Sequence, residues 1–288
     1  MLPDGRRLHL SHGPIDLIVQ AFGAAREVEA AYARASARFN EILPTLVKEL
    51  PLLRAPLGED RPLVSGSVAT RMVAACWPHR ALFLTPMAAV AGAVADEMLA
   101  ALVAGGDLDK AYVNNGGDIA FHLSPGASLT AGLVADYHMP ALDATCALGA
   151  EQPTRGLATS GWKGRSFSLG VADSVTVLAG TAAAADVAAT LIANAVNIDH
   201  PAIIRAPARF LDPDSDLGDR SVTTDVGTLD EATVRAALEN GLVRAHAAER
   251  GGHIQAAVLV LQGHFRVAGA VPAGLIAGNT HSGTERTG

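Results

Sequence analysis

Aromatic residues make up only 4% of the 288-residue sequence, with two Trp, three Tyr and seven Phe. So thin a supply argues against an aromatic-rich sandwich. The 49% hydrophobic fraction falls mainly to Ala, Val and Leu, which suits helices packed closely on a sheet. Cysteine is almost absent as well. Cys76 and Cys146 have neither metal-ligand spacing nor the numbers of a disulfide framework, and they read as reduced core residues. There is no sustained basic run and the net charge is −7, which argues against a nucleic-acid partner. No apolar run reaches the length of a membrane span, so no membrane partner is expected. The first residues, MLPDGRRLHLSHG, lack a signal-type apolar region, and the expected compartment is the cytoplasm. Internal repeats and low-complexity domains are missing too.

Small residues are what the chain has in quantity, and they concentrate between Gly156 and Val196. Ser174–Ala179 (SVTVLA) is β-branched and apolar, which predicts a strand buried on both faces. Gly180 ends it, and Thr181 stands where a helix N-cap accepts an unpaired N–H. The helical run to Asn194 contains one carboxylate, Asp186, and one hydroxyl, Thr190. Four residues apart, both project from one face, roughly 5–6 Å apart at Cβ, where they can share a hard cation with water. A structural reading stands beside this one, with the carboxylate serving the helix dipole and the hydroxyl bonded back to the helix. Upstream, Gly156, Gly161, Gly164 and Gly170 permit unusual backbone angles. Thr159, Ser160, Lys163, Arg165, Ser166 and Ser168 offer donors suited to a phosphate.

Elsewhere, short strands are expected at His9–Leu10 and Ile15–Val19, then a helix over Phe22–Glu49 that Pro44 kinks or ends. Pro51–Pro62 reads as a loop, Val68–Cys76 as a helix and Ala81–Thr85 (ALFLT) as a buried strand. Ala88–Val103 is a helix carrying Asp96 and Glu97, closed by Gly105–Gly106. A strand beginning at Ala111–Asn114 breaks at Asn115, Gly116, Gly117 and Asp118 and resumes at Ile119–Leu123. Two glycines there imply a bulge or a close backbone approach, in either a bent sheet corner or a ligand-facing turn. Thr130–Val134, Leu142–Leu148 and Ser221–Val226 follow as strands, with Asn197–Pro213 irregular. The acidic cluster Asp212, Asp214, Asp216 and Asp219 lacks the Gly and Glu of a calcium loop and reads as solvated. Leu229–Arg250 is an amphipathic helix, and Gln255–Leu261 with His264–Val267 a hairpin. The expected architecture is one α+β domain over residues 1–269, its mostly antiparallel strands covered on their faces by the long helices. A disordered tail is expected from residue 270.

Four segments together carry a resemblance. Thr85 through Asp96, VNNGGDI at Val113–Ile119, ATSG at Ala158–Gly161 and SVTVLAGTAAAADVAAT at Ser174–Thr190 resemble, in the same order, the ApbE family of FAD:protein FMN transferases. GPIDLI at Gly13–Ile18, the GRSFSLGVADSVTVLA run and ATLIANAV are similar to an uncharacterised branch of that superfamily, uncharacterised protein family 0280, up to about Gly269. The resemblance implies an ApbE-like fold. It also implies a magnesium ion held by Asp186 and Thr190, which match the family's metal-binding Asp and Thr, and by the carbonyl of Ala88.

Departures from the family pattern accompany these matches. The family's Lys of a Lys-Gly pair is Ala91 here, although Gly92 is kept, and its Asp six residues earlier is Thr85. A His-containing loop is replaced by Trp162–Gly170, which has no histidine. Two functions therefore stay open. One is a magnesium-dependent transferase or hydrolase acting on a phosphate-bearing cofactor such as FAD, with Lys163 and Arg165 supplying the missing lysine's charge. The other is a non-catalytic accessory protein that binds a flavin or pterin. Asn115, Gly116, Gly117 and Asp118 are expected to line the same pocket as Asp186, with Thr159, Ser160, Gly161, Lys163, Arg165 and Ser166 on the phosphate. The expected partners are a small-molecule cofactor or substrate and a second copy of the chain as a homodimer.

Overall fold

The computed structural model describes residues 1–133 and 144–270. A hairpin of β1 (Leu8–His12) and β2 (Ile15–Gly23) leads into α1 (Ala25–Leu53), followed by α2 (Ser67–Cys76) and α3 (Val90–Val103). Next come β3 (Leu108–Asn115), β4 (Asp118–Leu123), β5 (Ser128–Leu133), β6 (Ala144–Gly149), β7 (Gly156–Ser160) and β8 (Ser174–Ala179). After α4 (Ala182–Ala195) the chain forms β9 (Ile203–Pro207), α5 (Ala208–Leu211), β10 (Ser221–Val226) and α6 (Glu231–Arg250). It closes with the hairpin of β11 (Ala256–Leu261) and β12 (His264–Gly269).

Eight strands form one sheet in the order β1-β2-β3-β4-β7-β8-β11-β12, every pair antiparallel. All six residues of β8 are buried, as its unbroken apolar composition requires. The register aligns Val19 with Val113, Val113 with Ala120, Ala120 with Gly156, Gly156 with Ala179, and Val177 with Ala257. These residues share one face. On it lie α1, α2 and α3 over β2–β4, and α4 and α6 over β7, β8, β11 and β12. The opposite face buries Phe121, Leu157, Leu178 and Ala256 under the separate β5–β6 ladder. The long helices thus cover one face rather than both, which corrects the expected layering.

Other corrections are local. Phe22 ends a strand, and α1 starts later and runs through both Pro44 and Pro51 to Leu53. Both prolines lie exposed, opposite the buried Phe39, Ile42 and Leu46, so the carbonyls that lose their N–H partners face water. Ala81–Thr85 forms no strand. It is an irregular segment between one-turn 3-10 helices at Trp77–His79 and Pro86–Ala89, held by its own Leu84, which is buried at 4% exposure in a cluster with Leu57, Cys76 and Leu191. Asn197–Pro213, expected to be irregular, contains β9 and α5. The break at Gly116–Gly117 is the tight turn of the β3–β4 hairpin, not a bulge in one strand. Residue 134 and residues 142–143 of the two expected middle strands, and the expected tail from residue 271, lie outside the described residues. Pro86–Val103 is apolar and long enough, by length and composition, to cross a membrane, contrary to expectation. Here it packs beside α1, α4 and β3, with 44% of it buried.

Candidate functional site

Two helix N-termini meet beneath the middle of the sheet. The first turn of α4 is lodged between Gly92 of α3 and Gly156 of β7, and neither position has room for a side chain. A Cβ on Gly92 would sit 2.5 Å from the Ala182 carbonyl carbon and 2.7 Å from the Ala183 nitrogen, and closer still to the Ala182 oxygen. A helix start leaves its first N–H groups without partners, and each helix here supplies the other's. From α3, Asp96 accepts from the N–H groups of Ala182 and Ala183 at 3.0 and 2.9 Å. From α4, Asp186 accepts from Gly92 at 3.0 Å and also from Ala91. Thr181 takes the Ala184 N–H at 3.1 Å, so its expected N-cap role holds. With Ala182, Ala183 and Ala184 committed, the α4 N-terminus offers no free N–H to a phosphate. The structural job of Asp186 is thus to cap a neighbouring helix, not to serve its own dipole.

Asp118 reaches the same point from the sheet. It opens β4 on the parity of Ala120, hence on the helix side, and its carboxyl group hydrogen-bonds that of Asp186. The Thr159 backbone N–H also donates to Asp118. Desolvation, then the charge of Asp186, pushes the Asp118 carboxyl well above the usual carboxylate range. Asp186 is raised too, chiefly by desolvation, against the bonds from Gly92 and Ala91. Asp96, a third carboxyl nearby, is raised by desolvation in spite of its two backbone donors. A shared proton is what such a pair holds when no cation is there to pair both charges.

That donor set fits a hard divalent ion. Two carboxyl groups are in contact, and Thr190 follows Asp186 one turn along α4. The Gly92 N–H, which an uninterrupted helix would aim at the Ala88 carbonyl, goes to Asp186 instead. Ala88 belongs to the 3-10 turn Pro86–Ala89, which ends in a non-helical Ala89 (φ −124°, ψ 12°). Among the described residues no group of three or more His, Cys, Asp or Glu side chains could hold a metal, so a cation here needs oxygens from elsewhere.

The glycine turn borders this point. Gly116 and Gly117 have φ of +65° and +115°, conformations that favour glycine. Asn115 donates from Nδ2 to the Ala91 carbonyl at 3.1 Å, which ties the turn to the start of α3, and Asn114 accepts from Gly117 N–H at 2.8 Å. The exposed Arg165 extends to the same turn, its guanidinium 3.5 Å from where a Gly116 Cβ would be. The other proposed phosphate donors are scattered. The Thr159 hydroxyl is on the opposite face of the sheet, 2.8 Å from Thr176 Oγ1, and only its backbone N–H faces Asp118. Ser160 is half-buried at the end of β7, and Ser166 is exposed. Gly161 packs its backbone on Asp173. Lys163 pairs with Asp173 at 3.2 Å, and Trp162 Nε1 donates to the same carboxylate at 3.3 Å. Ser168 and Leu169 N–H both bond the Asn194 side chain, so the Trp162–Gly170 loop is anchored at both ends.

Three features escaped the reading of the sequence. Asp96 was visible only as a helix carboxylate, though both capping acids end similar strings of small residues, Ala91–Asp96 and Thr181–Asp186. Thr85, buried at 3% exposure, donates its hydroxyl to Asp216 across 131 residues of chain. The acidic loop is therefore fastened over Thr85 rather than simply solvated, with Arg220 stacked on Phe83 at 3.2 Å and Arg209 paired with Asp219 at 2.6 Å.

A family model described as AbpE bacteria matches residues 1–267. A UPF0280 protein from Methanothrix thermoacetophila is 35% identical over 136 residues, which is 43% of this chain and 51% of the relative. Another from Methanopyrus kandleri is 39% identical over 131 residues, 44% of this chain and 50% of the relative. A third, from Methanothermobacter thermautotrophicus, is 39% identical over 112 residues, covering 39% and 43%. The chain spans about half the length of the curated relatives it matches. Among solved structures, the flavin transferase ApbE from Vibrio cholerae aligns at TM-score 0.49 and 11% identity, over 93% of this chain and 97% of that one. An ApbE protein from Thermotoga maritima aligns at TM-score 0.38 and 14% identity, over 85% and 76%.

Proposed function

We propose, from the premise that the chain belongs to the AbpE bacteria family, that it is a magnesium-dependent transferase or hydrolase acting on a phosphate-bearing cofactor such as FAD. The observation that supports this is the meeting of Asp118 and Asp186 on the helix side of the sheet, beside a two-glycine turn. Asp186, Asp118, Thr190 and the Ala88 carbonyl would hold the cation, which when bound supplies charge neutralisation on the reacting phosphate oxygens. The chain's own residues do the rest. Asp118 gives up the proton it shares with Asp186, so the two carboxylates are both charged only where a cation pairs them. Ala91 and Gly92 N–H fix the direction of the Asp186 carboxylate. Gly116 and Gly117 let backbone approach the ligand closely, and Arg165 presents a planar fork to phosphate oxygens. Because two carboxylates, a hydroxyl and a carbonyl leave a magnesium shell incomplete, loading depends on oxygens from the ligand.

One observation favours a second reading, an accessory protein that binds a flavin or pterin without transferring it. Where the transferases carry Asp and Lys, this chain has Thr85, closed onto Asp216, and Ala91, whose N–H is spent on Asp186. Thermal melts with magnesium, with FAD and with both, on wild type, Asp118→Asn and Asp186→Asn, test the site. In wild type the combined shift should exceed the sum of the separate shifts. A ligand at a hundredfold excess over its Kd stabilises by about 2.7 kcal/mol, roughly 5–10 °C for a chain of this size. The same shifts in both variants would remove the carboxylates from the site. Mass analysis after incubation with FAD and magnesium then separates the readings, since cleaved or transferred FAD means an enzyme and retained intact FAD means a binder.

A further inference from the structure

A second cluster of chemistry lies away from Asp186, on a different side of α4. His79, His253 and Arg244 line a cavity of about 160 Å³ whose other walls include Ala188, Leu191 and Ile192 of α4. At 100° per residue these three positions point away from Asp186 and Thr190, so the cavity is separate from the carboxylate site. We propose that this cavity binds a small organic anion, with its oxyanion head on Arg244, His79 and His253 and a short apolar body against α4.

Four observations carry the assignment. None of the described residues lining the cavity is acidic, and among the described residues none pairs with the Arg244 guanidinium. Among the described residues, the wall therefore carries the Arg244 charge with no carboxylate set against it. His79 and His253 stand edge to face, their ring centroids 4.8 Å apart and their planes at 66°, so two imidazoles from separate segments border one space. The His253 backbone is anchored and its ring lies beside Gly251. The backbone N–H donates to the Ala248 carbonyl at 3.0 Å, and a Cβ on Gly251 would come within 2.9 Å of the ring. Volume sets the size of the guest. At roughly 30 Å³ per water the space holds about five waters, which is room for a phosphate or a four-carbon carboxylate head.

Electrostatics agree with the geometry. Burial first, then the charges of His253 and Arg244, push the His79 imidazole down to about 4, so at neutral pH it is uncharged. The groups that face it are His253 from the segment after α6 and Arg244 from α6, while α4 contributes only apolar residues. A bound anion reverses the sign of that field and favours the protonated ring, so an anion whose own charge does not change binds more tightly as pH falls. Arg244 also disfavours the competing use of the two imidazoles, ligation of a transition-metal cation.

The imidazole resonances of His79 and His253 report the outcome. The intact chain is titrated with inorganic phosphate, with butyrate, with chloride as reference and with zinc ion, at about pH 7.5 and about pH 5.5. Phosphate or butyrate should give saturable shifts of both rings that chloride does not, and the affinity for one and the same ionic form should rise at the lower pH. Saturation by phosphate alone assigns a phosphoryl head, and by butyrate alone a carboxylate. Arg244→Gln should weaken binding roughly tenfold or more, with Arg244→Lys retaining part of it. Shifts from neither anion, from zinc alone, or unchanged affinity in Arg244→Gln would overturn the proposal. If that variant does not fold, the wild-type titrations decide, because affinity for one and the same ionic form of the anion that fails to rise as pH falls overturns it equally.

Discussion

Replacing Gly92 with Ala adds one methyl group at the point where α3 meets the start of α4. The new carbon would lie 2.5–2.7 Å from backbone atoms of Ala182 and Ala183. Backbone cannot rotate aside as a long side chain can, so the two helices must separate. Overpacking of this kind costs about 1–3 kcal/mol. Separation also stretches the bonds from Ala182 and Ala183 to Asp96 and from Gly92 to Asp186, and a lost cap adds about 1 kcal/mol each. Helix propensity works the other way, since Ala is about 1 kcal/mol better than Gly inside a helix. The expected net loss is about 2–4 kcal/mol, which lowers the Tm by roughly 5–15 °C for a chain of this size. Scanning calorimetry reads it directly, with Gly58→Ala as control. Gly58 has nothing within 4 Å of an added Cβ, and its change should stay within about 0.5 kcal/mol. A Gly92→Ala protein melting at or above the wild-type temperature would refute the close approach and the mutual capping built on it.

Gly117→Ala tests backbone strain alone, because no atom lies within 4 Å of the added carbon while φ is +115°. It should lose about 1–3 kcal/mol in urea unfolding, and an unchanged midpoint would contradict the turn geometry. His79 predicts an acid sensitivity. Its folded value, about 4, lies below the unfolded 6.5, so as pH falls through that window the unfolded chain takes up a proton that the folded chain refuses. Wild type should therefore lose stability from about pH 6.5 to about pH 4 more steeply than His79→Gln, by on the order of 1–2 kcal/mol after allowance for partial exposure. Parallel pH profiles for the two proteins would show that the ring is not held neutral.

Legibility in the sequence followed the range of the interactions. The strand β8, the cap at Thr181 and the helices α2, α4 and α6 rest on local composition, and all stand close to where periodicity and capping residues put them. The family resemblance was equally local, carried by short motifs, and the family match over residues 1–267 agrees with it. What could not be read depends on contacts far along the chain. ALFLT has strand composition, yet Phe83 is stacked by Arg220 and Thr85 is bonded by Asp216, so its backbone never joins a ladder. Periodicity marks the inner face of a strand but not which layer covers it, hence the misplacement of the long helices. At the site, Asp186 and Asp118 could be named from the sequence. That Asp96 completes the arrangement could not, since its partners are 86 and 87 residues away.

The exchange of carboxylates between α3 and α4 also bears on how the chain assembles. Each helix start is completed only by an acid from the other, so neither can be finished before both are present. One core cluster gathers α1, α2 and α3 with the first strands, and the other gathers α4 and α6 with the last. Asp96 and Asp186 are bolted through that seam at sequence separations of 86 to 94 residues. Contacts of such long range carry a high loop-closure cost and are slow to form. Loss of either carboxylate should therefore weaken both halves together, because each holds the other's helix start across that seam.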